Sequence, residues 1–271
     1  MNILERQLWE GRMYSHTLYF RNNLRFAYEG IKAMLDLCPR TYVSISFGKQ
    51  SICLAHMVWK LRPKTPMYFL ASSESYLMHN FVEVIDAFMQ IAPINLTIVQ
   101  TNHAALDIRP CIERLSVLQP AIVWDMRPAG NPNWNWHEVR EAGHWDLQTM
   151  VDRDAYNGWF WGLAKEESKA RRITLSTKWE DQPHPSIFRY GDGKFRCCPL
   201  MNWRLHDLAA YIQRHELPLL DTYHKEGLTA RTTARMTGRS SEEGAMALIH
   251  QANIGLANQM YQRFPELRAA R

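Results

Sequence analysis

The sequence has only five cysteines, no Cys-x-x-Cys pair and no apolar run long enough to cross a bilayer. Each shortage removes a class of protein. Cys38, Cys53, Cys111, Cys197 and Cys198 are odd in number and irregularly spaced, which argues against a disulfide framework and against a cysteine-rich zinc or iron–sulfur site. No segment has the basic, apolar and small-residue order of a signal peptide, so the expectation is a soluble, cytoplasmic protein with no membrane contact. Internal repeats and low-complexity tracts are also lacking, which excludes solenoids and disordered tails. Extreme charge is missing too. A net charge of +5 and a pI near 9.0 suit a partner that carries phosphate, without the basic excess of a dedicated nucleic-acid arm.

What is present is an ordinary globular composition over 271 residues, 46% hydrophobic and 22% charged, enough for one generous domain. Residues 1–37 carry an apolar stripe at helical spacing (Leu24, Ala27, Ile31, Met34, Leu35) that ends near Pro39. Tyr42–Ser46 then reads as a buried strand, Phe47–Gly48 as a turn and Ser51–Leu61 as a helix. The alternation continues with strands at Met67–Ala71 and Asn95–Gln100 and helices at Ser75–Gln90 and His103–Leu118, the last interrupted near Pro110. Ala121–Trp124 and Tyr156–Leu163 read as further strands, Lys165–Arg172 as a short helix and Leu205–His215 as an amphipathic one. Strands alternating with helices predict a doubly wound, mainly parallel α/β sheet with helices on both faces, and ligands beyond the carboxyl ends of the strands. The division expected is a nucleotide-binding domain over 1–226, including N-terminal helices in 1–37, and an Arg-containing helical tail over 227–271 with a helix near Ser241–Arg263.

The first strand-to-helix turn reads Ser46-Phe-Gly-Lys-Gln-Ser51. At such a turn the first N–H groups of the helix are unpaired and the positive end of its dipole points outward, so anions bind there. Gly48 lets the backbone approach a ligand, Ser46 and Ser51 offer hydroxyls, and Lys49 offers a mobile charge. A Walker-type P-loop is excluded because the required upstream glycine position is Val43. By itself the segment is equally well a tight turn with a solvated lysine.

Three ordered segments carry a resemblance. Ser46–Ser51 resembles the pyrophosphate loop of the adenine nucleotide α-hydrolase superfamily, usually Ser-Gly-Gly-Lys-Asp-Ser, and within it the phosphoadenosine-phosphosulfate (PAPS) reductase-like branch with Ser-Phe-Gly. Gly162-Leu-Ala-Lys-Glu-Glu-Ser-Lys-Ala-Arg171 is similar to that family's Gly-Ile-Arg-x-x-Glu-Ser-x-x-Arg element. Pro199–Trp203, Asp207–Ile212 and Leu217–Tyr223 resemble its Pro-Leu-x-x-Trp, Asp-x-x-x-Tyr-Ile and Leu-Pro-x-x-x-x-Tyr blocks, the last group being more structural than catalytic. The likeness implies a Rossmann-like fold. It also implies a nucleotide contacted by Ser46, Phe47, Gly48, Lys49, Ser51, Glu74, Gly162, Glu167 and Ser168, with Lys49 and Arg171 stabilising charge on the phosphates. The sequence departs from the pattern at Gln50 (family Asp), at Ala164 (family Arg) and at Ala71–Ser75, which replaces the usual Asp-Thr-Gly.

The same resemblance implies chemistry. Members of the superfamily either cleave ATP, with Mg²⁺, between its α and β phosphates to adenylate an acceptor, or reduce an adenylated sulfate. The reductases use a C-terminal cysteine, and this chain has none after Cys198. Cys197-Cys198 is similar to one half of an iron–sulfur ligand set whose second half is missing, so no cluster is expected and both thiols are read as buried in a strand. The expectation is therefore an ATP-using adenylyltransferase or pyrophosphatase. Its acceptor is unknown, with a nucleic acid or a nucleotide as candidates, and a protein partner is compatible. A nucleotide-sensing regulator without turnover, and PAPS reduction with thiols from a partner, are the alternatives. The Trp-rich window 124–161 reads either as an acceptor pocket, with Trp134 and Trp136 stacking on a base, or as core. His137 and His144 on it are read as solvated rather than as metal ligands. Arg231, Arg235 and Arg239, one helical turn apart, read as a solvated stripe or a phosphate contact.

Overall fold

A computed structural model describes residues 1–71, 80–100, 121–124, 155–178, 181–190, 193–230, 250 and 254–270. Within them lies a seven-stranded sheet: β1 (Thr41–Ile45), β2 (Pro66–Ala71), β3 (Asn95–Gln100), β4 (Ala121–Trp124), β5 (Gly158–Trp161), β6 (Ile187–Tyr190) and β7 (Lys194–Cys197). Their spatial order is β4-β3-β2-β1-β5-β7-β6. All pairs are parallel except the β6–β7 hairpin at the edge. The helices are α1 (Ile3–Tyr14), α2 (Leu18–Leu37), α3 (Lys49–Leu61), α4 (Phe81–Ile91), α5 (Lys169–Thr174), α6 (Leu205–His215), α7 (Asp221–Glu226) and α8 (Ile254–Arg263). The α/β class and the mainly parallel sheet expected from the alternation are therefore present.

One face of the sheet is buried under α2, α3 and α4. Val43, Ile45, Met67, Phe69 and Phe160 from the strands join Ala27, Ile31 and Met34 from α2 and Ile52, Leu54 and Ala55 from α3 in one continuous core. Burial of this apolar area is the main force holding the fold. The opposite face is aromatic: Tyr42 and Trp159 pack with Tyr68, Tyr156 and Trp161, and Leu175 after α5 packs with Phe188 and Cys198. No helix among the described residues is long and apolar enough to cross a membrane.

Several boundaries differ from the expectation for local reasons. Residues 1–37 form two helices, because Thr17 caps α2 by accepting the Phe20 N–H. Lys165–Arg172 is divided: Lys165–Glu167 is a 3₁₀ turn, and Ser168, extended at φ −165°, caps α5 by accepting the Arg171 N–H at 3.1 Å. The fifth strand is shorter than Tyr156–Leu163. The β6–β7 hairpin is an addition, and α3 begins two residues earlier than Ser51. The readings at residues 75–79, His103–Leu118, Trp134, Trp136, His137, His144, Trp145, Cys111 and the Arg231–Arg239 stripe lie outside the described residues, as does most of the Ser241–Arg263 helix before Ile254.

Candidate phosphate-binding site

β1 pairs with β2 on one side and β5 on the other. From β1 the chain winds outward through β2, β3 and β4, whereas from β5 it winds the other way to β7. The connections that follow β1 and β5 therefore diverge, and a crevice opens between them at the carboxyl edge of the sheet. Ser46–Ser51 and Gly162–Arg171, two of the three segments singled out by sequence, are the two lips of that crevice.

The first lip is a self-bonded turn. Ser51 Oγ donates to the Gly48 carbonyl at 3.1 Å and accepts the Ser46 N–H at 3.1 Å. A hydroxyl has one proton, so in the 3.1 Å contact between the two side-chain oxygens Ser46 is the donor. Gly48 is the helix N-cap, extended at ψ 162°, with no side-chain cap. Its place as N-cap leaves the first N–H groups of α3 to other partners. Phe47 adopts φ 52°, rare for a bulky residue, and its ring is buried at 1% exposure between Phe69 and Phe88. Phe47 therefore plugs the turn into the core and can meet a ligand only through its backbone. Gln50 is also buried, at 8%.

The second lip approaches the first through a glycine. A Cβ on Gly162 would lie 2.9 Å from the Ser51 nitrogen and 3.0 Å from the Gln50 carbonyl carbon. Gly162 is thus required by backbone packing of β5 on the first turn of α3. Beyond it, Glu167 Oε2 accepts the Ala164 N–H at 2.9 Å and pairs with the Arg171 guanidinium, both side chains being part-exposed. Glu166 accepts the Leu205 N–H at 3.1 Å, and the Lys165 ammonium donates to Asn202 at 3.1 Å. Burial and the Lys178 charge lower the Lys165 pKa. Arg171 and Arg196 both act on the buried Cys198 thiol, which burial nevertheless pushes up to about 12. Glu167, Ser168 and Arg171 therefore lie together, closed into a capped turn.

Lys49 lies at the start of α3, where its Nζ donates to the Ala230 carbonyl at 3.1 Å and stands 5.1 Å from the centre of the Tyr223 ring. Its backbone N–H donates to the Tyr223 hydroxyl at 3.2 Å. Tyr223 is thus a site residue that sequence reasoning assigned to a structural block. The signal was its place in the Leu217–Tyr223 segment, which by itself does not say that the hydroxyl reaches α3. Glu74 lies outside the described residues. Cys197 and Cys198 are both fully buried, at the end of β7 and just after it, as expected. Cys197 bonds Ser186 at 3.4 Å and donates to the Gly30 carbonyl at 3.6 Å.

Among the described residues no group of three or more His, Cys, Asp and Glu side chains is placed to hold a metal ion. At the turn, position 50 is an amide, and the Glu167 carboxylate is taken by Ala164 and Arg171. The described donors therefore do not fit a Mg²⁺ ion, which favours open carboxylate oxygens alongside the phosphates.

Residues 114–254 match the family model for the phosphoadenosine phosphosulfate reductase domain. The chain is 22% identical over 208 residues to the phosphoadenosine 5'-phosphosulfate reductase of Alkalilimnicola ehrlichii, covering 75% of this chain and 74% of that one. It is 26% identical over 208 residues to the enzyme of the same name from Salmonella arizonae, covering 76% and 75%. Among solved structures, the phosphate complex of phosphoadenylyl-sulfate reductase from Candida auris aligns at a TM-score of 0.42 and 14% identity, over 71% of this chain and 81% of that one.

Proposed function

The chain belongs to the phosphoadenosine phosphosulfate reductase domain family, and from that membership we propose that its Ser46–Ser51 turn binds the phosphate chain of an adenine nucleotide. The nucleotide is ATP, cleaved between its α and β phosphates so that an acceptor is adenylated. The observation that carries this reading is the convergence of the β1–α3 turn and the Gly162 strand end at the switch point of the sheet. A helix N-terminus, two hydroxyls and a lysine at that point make a cradle for a polyanion.

In the step itself an acceptor oxygen attacks the α-phosphorus, the bond from that phosphorus to the bridging oxygen breaks, and pyrophosphate leaves with the electron pair. No covalent help from the protein is needed, so positioning and charge stabilisation supply the rate. Ser46 and Ser51 turn their hydroxyl protons from Ser51 Oγ and the Gly48 carbonyl to the phosphate oxygens; Lys49, kept on the Tyr223 ring, exchanges the Ala230 carbonyl, and Arg171 exchanges Glu167, for the charge that builds on the leaving group. A phosphate competes well for Lys49, whose Ala230 partner is a neutral carbonyl, because charge-assisted bonds are roughly twice as strong as neutral ones, whereas Arg171 exchanges one anion for another. No step here passes through a metal ion. The acceptor fits a nucleic acid or nucleotide best, given the basic balance of the chain, and a protein partner can deliver it.

Reduction by Cys38, Cys53, Cys197 or Cys198, the cysteines among the described residues, is disfavoured by their surroundings. Burial pushes Cys38 up to about 11 and Cys198 up to about 12, and raises Cys53 and Cys197 as well. Thiols of that kind are not thiolate nucleophiles at neutral pH. A second reading is favoured by the names of the relatives: the bound nucleotide is PAPS and the thiols come from a partner protein. Incubation with α-labelled ATP and candidate acceptors tests the first reading, with AMP-transfer product and pyrophosphate expected from the native protein and neither from Lys49→Ala. Sulfite formed from PAPS and reduced thioredoxin, with no pyrophosphate from ATP, would select the second.

A further inference from the structure

The segment after α6 reaches back to the start of α3. The Lys49 N–H donates to the Tyr223 hydroxyl at 3.2 Å, the Lys49 ammonium lies 5.1 Å from the Tyr223 ring centre, and the same ammonium donates to the Ala230 carbonyl at 3.1 Å. Tyr223 is 1% exposed. The segment is fixed independently of Lys49. At one end the Asp221 N–H donates to Asn80 Oδ1 at 2.8 Å, and at the other the Leu228 N–H donates to Gln7 Oε1 at 2.7 Å. Between them Gly227, at φ 78°, sits against α1 so closely that a Cβ would lie 2.6 Å from Ile3 Cγ2 and 2.7 Å from Gln7 Oε1. Residues 221–230 are thus a strap anchored on α1 and on the residue before α4, and Tyr223 is the side chain through which it touches the phosphate turn.

These contacts suit a cation that must later receive an anion. A lysine side chain has large rotamer freedom, and ordering it on binding weakens affinity unless it is ordered beforehand. An aromatic face orders an ammonium without neutralising it, whereas a carboxylate would compete with the incoming phosphate. The hydroxyl takes the first of the N–H groups that the helix start leaves without an internal partner, which fixes the turn and leaves later donors to the anion.

We propose that Tyr223 is a positioning residue for the phosphate-binding turn, holding the Lys49 ammonium by its ring and the first amide of α3 by its hydroxyl before a nucleotide arrives. The inference rests on the nucleotide reading of the turn, and its test has one arm that does not. In that arm, lysines are ¹³C-methylated and the Lys49 signal, assigned by its loss in Lys49→Arg, is followed by NMR. The native protein and Tyr223→Phe show a ring-shifted Lys49 signal, and Tyr223→Leu returns it to the position of exposed lysines.

In the second arm, calorimetric titration with ATP gives a dissociation constant roughly tenfold weaker for Tyr223→Leu and about two- to threefold weaker for Tyr223→Phe, the size expected for losing a cation–π contact and a hydrogen bond together or the bond alone. A Lys49 signal unmoved by Tyr223→Leu, or an unchanged ATP affinity in that variant, overturns the proposal. Should Tyr223→Leu fold poorly, Tyr223→Phe decides: a Lys49 signal that collapses although the ring is kept overturns the role assigned to the ring. Absence of ATP binding by the native protein overturns the nucleotide reading, while the NMR arm still decides whether Tyr223 holds Lys49.

Discussion

Gly162 and Ser51 meet backbone to backbone: the end of β5 lies so close to the first turn of α3 that a Cβ on Gly162 would stand 2.9 Å from the Ser51 nitrogen. The obstacle is main chain in a helix start, which cannot rotate away. Gly162→Ala is therefore expected to push the two lips of the crevice apart, lowering stability by about 1–3 kcal/mol as overpacked sites do. ATP affinity should fall further than stability alone explains, because the displaced atoms belong to the phosphate turn. Denaturant midpoints and ATP titrations of the folded variant measure the two effects separately. An unchanged midpoint and affinity would remove Gly162 from the account of the site.

A second prediction concerns pH. His56 on α3 and His215 on α6 face each other with ring centres 4.7 Å apart, and His56 Nδ1 bonds the Tyr211 hydroxyl at 3.0 Å. Lys60 and Arg214 add positive charge around the pair, and Trp59 stacks on His56. Burial first, then the neighbouring charges, push both histidines down to about 4. The unfolded chain takes up these protons near pH 6.5 and the folded one only near 4. Stability is therefore undiminished above pH 6.5, falls as pH drops through the window from 6.5 to 4, and levels off below it, by an amount on the order of 3 kcal/mol for buried His56 alone. His56→Gln should flatten much of that slope in denaturant midpoints taken between pH 7.5 and 4.5. Parallel pH profiles for the native protein and the variant would show that His56 is not the group responsible.

The fold was legible in the sequence where one signal dominated. The buried β-branched run of β1, the alternation through β3 and the amphipathic α6, whose bounds match the expectation residue for residue, all came from periodicity. The hairpin β6–β7 was not legible: Phe188, Arg196 and Lys194 mix polar and apolar positions, because the edge of the sheet is only half covered. The site was legible as a set of segments. What periodicity and motif spacing do not report is side-chain partnership across the fold. The ring of Phe47, expected at the nucleotide, is a core plug; Gly162, expected there too, is also a packing requirement; Tyr223 looked structural and touches Lys49. Each of these depends on residues distant in the chain or on a positive φ, neither of which local sequence displays.

Asp207 ties three helices together. It is fully buried and accepts from Asn23 Nδ2 at 3.1 and 3.2 Å and from the Arg204 N–H at 2.8 Å, with the Tyr14 hydroxyl as a further partner. Removing the carboxylate strands these donors away from water, which costs far more than the net strength of the bonds. Asp207→Ala should therefore destabilise the protein by about 2–4 kcal/mol, with Asp207→Asn intermediate because it keeps one acceptor. ATP affinity of the folded fraction should stay within twofold, since these bonds join α1, α2 and α6 to one another rather than to the phosphate turn. An unfolding free energy from chemical denaturation that changes by less than about 0.5 kcal/mol in Asp207→Ala, the range of ordinary surface changes, would contradict the anchor.

The thiols give the last prediction, and it bears on which reaction the chain performs. Cys38, Cys53, Cys197 and Cys198 are all buried, and burial raises the pKa of each. A thiol must be both accessible and ionised to attack iodoacetamide or the sulfur of an adenylated sulfate. In the native protein at pH 8, peptide-resolved mass spectrometry should find these four cysteines unlabelled over an interval in which urea-unfolded protein is labelled completely. Rapid labelling of Cys198, which Arg171 and Arg196 push toward the thiolate against the effect of burial, would reverse the argument. A reactive thiol would then stand beside the second lip of the crevice, and thiol chemistry on the bound nucleotide would become the better reading of the site.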